Sequence, residues 1–374
     1  ISIVVGKNKV MGKIFITKTS AICCLGQDIG EIFKNALNGV IRPHKISTKL
    51  PQIEDSDYNL RCNRILLHCV NNMRKEIEDL IKKYGKDRIG IVIGTTNSGI
   101  QEFERDGELK YAQFGNPAEF LAKYFGFTNF YASVSTACTS GVKAFSTAIK
   151  LLNSGICDAV LTGGTEPLAD LPQYGFGALE VLTDELTNPM SKNRNGMNIG
   201  EGGALFILEK DAEKGIEILG LGETSDAYHA ATPDPEGKQA VRAIEIALKQ
   251  ANLSPEDIDY INMHGTGTIS NDIMEANAIH KVFDDKVLVS STKPLTGHCL
   301  GAAASVEIAM CCEMLADNPE HRILPHIYDG VYDDKLPKIN LADKNSRAGK
   351  LNICMSNSFG FGGTNAVIIM ANKR

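Results

Sequence analysis

What this chain lacks narrows its class before any motif is read. No apolar run approaches the ~20 residues that a membrane-spanning helix needs, so no membrane span is expected. Positive charge is not in excess: 39 Lys and Arg face 45 Asp and Glu, a formal charge of −6. That balance disfavours a nucleic-acid partner and leaves only a local basic patch open. The ten cysteines contain no C-x-x-C pair, and no secretory signal precedes them. Cys23-Cys24 and Cys311-Cys312 are adjacent, and the others are scattered through apolar segments. This spacing argues against disulfides and for a reducing cytoplasm in which most thiols are small buried hydrophobes. Low-complexity segments and short-period repeats are also missing.

What is present fits a globular enzyme. Hydrophobic residues make up 43% and charged residues 22% of 374 residues, enough for a large core and two similar halves. Short apolar runs at 14–17, 88–93, 130–135, 159–163 and 204–208 read as strands, and so does a second series at 217–222, 260–263, 287–290, 351–355 and 366–370. Helix-period segments fall at 64–83, 117–125, 139–153, 238–251, 272–283 and 301–315. Alternation of the two implies a layered, mainly parallel α/β fold. Ser254-Pro255-Glu256-Asp257 reads as a helix N-cap with proline in the first turn. The charged stretch Lys210–Gly215 marks a boundary, giving halves at 11–212 and 213–374. Residues 1–10 read either as a native extension or as an appended remnant ahead of Met11, where a strand begins almost at once.

Chemistry concentrates at three glycine-rich places. Cys138 lies in Ser135-Thr136-Ala137-Cys138-Thr139-Ser140-Gly141, between a strand and a helix. Its neighbours are small, and a helix start favours a thiolate. His264 precedes Gly265-Thr266-Gly267-Thr268, and His298 follows Lys293-Pro294-Leu295-Thr296-Gly297. A thiol with two histidines on loops suits a nucleophile and its hydrogen-bonding partners, and points to acyl transfer through a thioester. The same trio invites zinc, but a fourth ligand and any tight ligand spacing are missing, so no metal is expected. Glu307, in an apolar small-residue helix, needs a partner if buried, and Lys293 is the candidate. The tail Asn357-Ser358-Phe359-Gly360-Phe361-Gly362-Gly363-Thr364-Asn365 suits a sharp turn whose N–H groups face an oxyanion. The loop Gly94-Thr95-Thr96-Asn97-Ser98-Gly99 lacks the Gly-Lys-Ser/Thr ending of a phosphate loop and reads instead as a wall of the substrate pocket.

These motifs, in this order, resemble the β-ketoacyl-[acyl-carrier-protein] synthases of the condensing-enzyme superfamily across nearly all of residues 11–372. The resemblance implies a thiolase-like fold, duplicated βαβαβαββ halves in five αβαβα layers. It makes Cys138 the acyl-accepting nucleophile and makes His264 and His298 the pair that promotes malonyl decarboxylation. Lys293, beside Glu307, supports them electrostatically. It implies an oxyanion hole from the backbone N–H groups of Cys138 and Phe361, and a gating loop carrying Phe359 and Phe361. Thr266 and Thr268 would contact phosphopantetheine, and Asn97 would border the acyl pocket. Substrates would arrive on the phosphopantetheine of an acyl carrier protein, with no other cofactor. The partner would be an identical or a homologous subunit.

Within the superfamily, the second catalytic cysteine of thiolases cannot be placed here. His298 departs from the Cys-His-Asn pattern of initiating synthases. An elongating synthase fits best, performing decarboxylative Claisen condensation. The rivals are a non-catalytic chain-length-determining subunit, against which the intact trio argues, and a thioester hydrolase. Departures from the pattern include the short chain, Asn195 before Gly196, and Pro294 after Lys293. Ser225-Asp226-Ala227-Tyr228-His229 and Pro233-Asp234-Pro235 resemble synthases of aryl-polyene and other specialised clusters. Arg61, Arg64, Lys192 and Arg194 are candidate contacts for an acidic carrier protein. His298→Ala is expected to harm decarboxylation more than acylation, since a thiolate at a helix start needs less help than a developing enolate.

Overall fold

Strands form where short apolar runs meet turn residues, and their order shows one unit used twice. The computed structural model describes residues 12–372, so the extension expected at 1–10 and the Met11 start lie outside the described residues. The first half contributes β1 (Ile14–Cys23), β2 (Ile89–Gly94), β3 (Tyr131–Val134), β4 (Ala159–Glu166) and β5 (Gly202–Lys210). The second contributes β6 (Ile216–Ser225), β7 (Tyr260–Asn262), β8 (Leu288–Ser290), the two-residue β9 (Asn340–Leu341), β10 (Ile353–Gly360) and β11 (Thr364–Asn372). They line up as β3-β2-β4-β5-β1-β6-β11-β10-β7-β8-β9. Taken from β8 inwards, the second half repeats the first: third strand, second, fourth, fifth, first. The pairing directions repeat as well. β2 runs parallel to β3 and β4, and β5 is antiparallel to β4 and β1. Likewise β7 runs parallel to β8 and β10, and β11 is antiparallel to β10 and β6. The halves join where Ile14, Phe15 and Ile16 pair with Ile218, Glu217 and Ile216.

The helices are α1 (Ile29–Leu37), α2 (Arg61–Asn72), α3 (Arg74–Tyr84), α4 (Ile100–Asp106), α5 (Asn116–Phe125), α6 (Ser140–Ser154) and α7 (Asp170–Ala178) in the first half. The second half adds α8 (Lys238–Ala251), α9 (Ile269–Phe283), the short α10 (Lys293–Thr296) and α11 (Leu300–Ala316). Successive strand residues face opposite layers. In β2, Ile89, Ile91 and Ile93 join the outer core with α2, α3 and α5, while Val92 joins the central one. In β11, Val367 and Ile369 pack outward with α8 and α9, while Ala366, Ile368 and Met370 face the centre. The central core holds α6 and α11 between the two halves of the sheet. Five layers, αβαβα, result.

Differences from the sequence expectation are local. The helix expected over 64–83 is two helices, broken at Met73 (φ −131°, ψ 24°), which is fully buried after Asn71-Asn72. Asparagine competes with the helix for backbone hydrogen bonds, so the break costs little there. Ser254-Pro255-Glu256-Asp257 caps only a 3₁₀ turn, Pro255–Asp257, with Ser254 N and Oγ both donating to Asp257 Oδ2 at 2.8 Å. Helix α1 was legible in retrospect: Asp28 Oδ1 accepts from Glu31 N at 2.9 Å, and Gln27 N donates to Glu31 Oε2 at 3.1 Å. Helix α7 carries Pro172, Gly175 and Gly177 and buries none of its residues, so no apolar stripe announces it.

Candidate active site

Each half sends its central helix into the middle layer after the third strand. Cys138 immediately precedes α6, and His298 lies just before α11, so the duplication brings the two side chains together. The turn at Cys138 is held by short-range bonds. Ser140 Oγ donates to Ala137 O at 2.6 Å and accepts from Thr136 N at 2.9 Å, while Thr139 Oγ1 donates to Thr136 O at 2.7 Å. Ala137 has φ +54°, an uncommon conformation for a residue with a side chain. From across the sheets, Thr364 Oγ1 lies 3.0 Å from Thr139 Oγ1 and ties the tail loop to this turn.

Cys138 is 3% exposed, and its Sγ lies 3.1 Å from His298 Nε2. The His264 and His298 rings meet edge-on, centroids 5.1 Å apart. Lys293 Nζ stands 3.4 Å from His264 Nδ1 and donates to Glu307 Oε1 at 2.6 Å. An ammonium donating to Nδ1 places the His264 proton on Nε2, where it serves as a donor. Burial, reinforced by the Lys293 charge, holds both histidines well below their usual range, so both rings are neutral at pH 7. Burial also raises the Glu307 carboxyl, against the pull of Lys293. Lys293 and Glu307 are both buried, and removing either partner would leave an uncompensated charge, at a cost of about 3–5 kcal/mol. The sulfur of Cys138 and one nitrogen from each histidine lie within 4.8 Å of one another, the spacing of a three-ligand metal group. The Lys293 ammonium beside His264 opposes a second cation there, as like charges repel in a dry site.

Burial pushes the Cys138 thiol up to about 12, against the pull of Lys293 and the Phe361 N–H. The sequence expectation of a thiolate favoured by the helix start therefore needs correcting. The resting group is a thiol, and its proton has to pass to His298 Nε2. Alkylation of Cys138 by iodoacetamide is expected to keep rising across pH 7–10, about tenfold per pH unit, where an ordinary cysteine levels off near about 8.5. Mass spectrometry of the labelled site checks this, and a plateau below pH 8 would indicate a thiolate–imidazolium pair instead.

The tail loop closes over this group. Phe359 is buried 6.1 Å from the His264 ring, and the Phe361 ring meets Phe176 of α7 at 5.2 Å. Gly360 admits the close approach of the nucleophile turn: a Cβ there would lie 2.8 Å from Thr364 Oγ1 and 3.3 Å from Cys138 N. The Phe361 N–H reaches the Cys138 thiol. Two cavities flank the loop. One, of about 440 Å³, is lined by His264, Thr266, Thr268, His298, Phe359 and Phe361. The other, of about 450 Å³, contains Cys138 together with Thr96, Asn97, Phe176 and Leu300. Leu179 lines both, so the Phe176–Phe361 contact stands at the partition between them.

Two carboxylates in this region were missed from sequence. Glu275, on α9, accepts from His264 N at 2.7 Å and Gly265 N at 2.6 Å and fixes the loop that carries the histidine. Glu166, at the end of β4, is equally buried. Burial pushes each up to about 7 against the hydrogen bonds that favour the charged form. The signal each offered was its placement: Glu166 ends an otherwise uncharged strand, and Glu275 sits among Ile273, Met274 and Ala276 of a helix.

The basic residues suggested for carrier docking divide. Arg194 is buried, its Nη1 donating to Asp333 Oδ2 at 2.6 Å and its Nε 3.7 Å from Asp272 Oδ2. Arg61 is committed to the buried Glu201, its Nη2 donating to Oε2 at 2.7 Å. Both cations balance internal carboxylates, a role invisible without the fold, and neither offers a free charge for docking. Arg64 is half-buried and donates to Pro51 O at 2.9 Å and Leu50 O at 3.3 Å, while Lys192 is exposed.

Comparison with known proteins agrees with this geometry. Residues 61–214 match the profile of the β-ketoacyl synthase N-terminal domain, and residues 216–327 that of the C-terminal domain. The 3-oxoacyl-[acyl-carrier-protein] synthase 2 of Staphylococcus aureus (strain COL) is 29% identical over 407 aligned positions, covering 96% of this chain and 97% of the relative. The Coxiella burnetii (strain RSA 493 / Nine Mile phase I) protein of the same name is 32% identical, over 78% of this chain and 77% of its own. A chain from the solved complex of ketosynthase ApeO with its chain length factor ApeC, from Xenorhabdus doucetiae, superposes with a TM-score of 0.91. It is 32% identical and is covered in full by 98% of this chain.

Proposed function

This chain belongs to the β-ketoacyl synthase family, and from that premise we propose that it elongates acyl chains by decarboxylative Claisen condensation on an acyl carrier protein. The observation that carries the proposal is His298 Nε2 at 3.1 Å from Cys138 Sγ, with His264 beside it and a cavity on either side. The acyl group enters the cavity that contains Cys138. His298 takes the thiol proton as sulfur attacks the carrier thioester, then returns it to the departing carrier thiolate. Malonyl carrier follows through the cavity lined by Thr266 and Thr268, whose polar side chains suit the amides of phosphopantetheine. Once the neutral His298 ring exchanges its proton from Nδ1 to Nε2, His264 and His298 both donate hydrogen bonds to its thioester oxygen. The bond to CO₂ breaks, and its electron pair forms an enolate that attacks the acyl thioester. The N–H groups of Cys138 and Phe361 hold the oxyanion until Cys138 leaves as a thiolate, which takes up one proton from solvent to restore the resting thiol. No metal enters this scheme, and the phosphopantetheine arm arrives with the substrate.

A related second subunit completes the assembly. Strand β3 is one of the two edge strands of the sheet among the described residues, with Tyr131 49% exposed, and α7 beside the acyl cavity leaves Leu171 61% and Tyr174 75% exposed. An unpaired edge next to an apolar helix calls for a cover. A chain such as the one paired in the ApeO–ApeC complex, or a second copy, fits it. Ten free, buried thiols suit a reducing cytoplasm, and no helix among the described residues is long and apolar enough to cross a membrane. The apolar cavity with Asn97 and Thr96 on its wall suits specialised chains, unsaturated or oxygenated, of the aryl-polyene kind. The test is incubation with malonyl carrier and a panel of acyl carriers, read by intact mass. A two-carbon extension with loss of CO₂ is expected. Free acid without extension would replace the proposal with hydrolysis, and no acyl adduct at all would favour a non-catalytic subunit.

A further inference from the structure

Three residues bearing side chains adopt left-handed backbone conformations around the acyl cavity: Ser98 (φ +48°), Ala137 (φ +54°) and Leu300 (φ +40°). Ala137 and Leu300 line it, and Ser98 follows Asn97, which also lines it. A bulky leucine in that region persists only where its surroundings over-determine it. The turn at Ala137 is held by Ser140. The other two positions share one anchor, Glu166.

Glu166 is fully buried and does not line the cavity. Its carboxylate accepts five hydrogen bonds. Four come from the loop after β2: Thr95 Oγ1 at 3.2 Å, Thr96 N at 2.8 Å, Thr96 Oγ1 at 2.7 Å and Asn97 N at 2.7 Å. The fifth comes from the start of α11, Gly301 N at 2.7 Å. A Cβ on Gly301 would lie 2.5 Å from Glu166 Oε2, so the helix start can press onto the carboxylate only as glycine. All five partners donate. An acceptor-only carboxylate satisfies them, whereas an amide would turn an N–H toward a donor. Ser98 N donates to Thr95 Oγ1 at 3.0 Å, which carries the anchor on to the strained Ser98.

We propose that Glu166 is a positioning residue for acyl selectivity: one buried carboxylate clamps the Thr95–Asn97 loop and the Leu300–Gly301 turn as two walls beside Cys138. It sets which chains Cys138 accepts without touching them. This rests on the condensation reading above. Thr96 and Asn97 on one element and Leu300 on another line the cavity, and Glu166 hydrogen-bonds to the backbone of both elements.

The experiment compares wild type, Glu166→Gln and Thr95→Val as full chains with acyl carriers of short, medium and long chain. It reads kcat/KM for Cys138 acylation, and separately malonyl decarboxylation. Glu166→Gln is expected to flatten the discrimination between best and worst acyl carrier by about tenfold or more, the scale on which apolar pockets discriminate. Decarboxylation should stay within about twofold of wild type, because His264 and His298 are not held by the clamp. Thr95→Val removes one donor and keeps the charge, so it should shift selectivity the same way by less, and it decides the matter if Glu166→Gln does not fold. Unchanged selectivity, or equal loss in both half-reactions, overturns the clamp. A wild type that is never acylated overturns the condensation reading instead, and the clamp's substrate role with it.

Discussion

Cys138→Ala is expected to abolish acyl-enzyme formation and to lower condensation by on the order of 10⁴ or more, the scale seen when a covalent nucleophile is removed. Nothing else at the site supplies a substitute. The other nine cysteines are buried, and Cys299, the sulfur next in sequence to His298, is pushed far above the usual thiol range by burial. The fold should survive. Thr139 and Ser140 hold the turn, the Ala137 conformation does not depend on sulfur, and losing one buried sulfur costs about 1 kcal/mol. Intact mass after incubation with acyl carrier reads the result, with thermal melting as the control for folding. An adduct that persists and maps to another cysteine would remove Cys138 from the nucleophile's role.

The sequence displayed much of this architecture because the relevant signals are local. Each of the ten apolar runs that flank Gly, Asn or Pro is a strand, and the three glycine-rich chemistry motifs lie on the loops those strands deliver. Cys138, His264 and His298 come from distant positions, yet each sits at the end of a strand–turn unit, so its placement at the sheet's edge followed from the pattern. What stayed hidden depends on pairing across the fold. Arg194 and Lys192 look alike in sequence, but Arg194 is spent on Asp333 and Asp272 and Lys192 faces solvent. Helix α7 buries none of its residues within this chain, so no apolar stripe marks it in the sequence. Glu166 and Glu275 belong to none of the motifs read from the sequence. Their meaning lay in backbone N–H groups that arrive from elsewhere: Asn97 and Gly301 for one, His264 and Gly265 for the other. The thiol's ionisation was misjudged for the same reason. A helix start is visible in sequence, but full burial against Glu307 and Glu166 is not.

That burial changes what the two histidine variants should do. With a thiolate at rest, His298→Ala would harm decarboxylation more than acylation. With a thiol held at about 12 and His298 Nε2 at 3.1 Å from it, acylation also needs the ring as a base. His298→Ala is therefore expected to slow both half-reactions by on the order of 10²–10³ each. His264 differs. Its Nδ1 faces Lys293, and it makes no hydrogen bond to Cys138 among the described residues, so only its Nε2–H reaches substrate, as a donor to the malonyl oxygen. His264→Ala should slow decarboxylation by a similar factor and leave Cys138 acylation within about threefold of wild type. Single-turnover acylation by intact mass and CO₂ release from labelled malonyl carrier separate the two. Normal acylation in His298→Ala would mean that sulfur loses its proton without the ring. A large acylation defect in His264→Ala would mean that Lys293 and His264 act on the thiol rather than on the enolate.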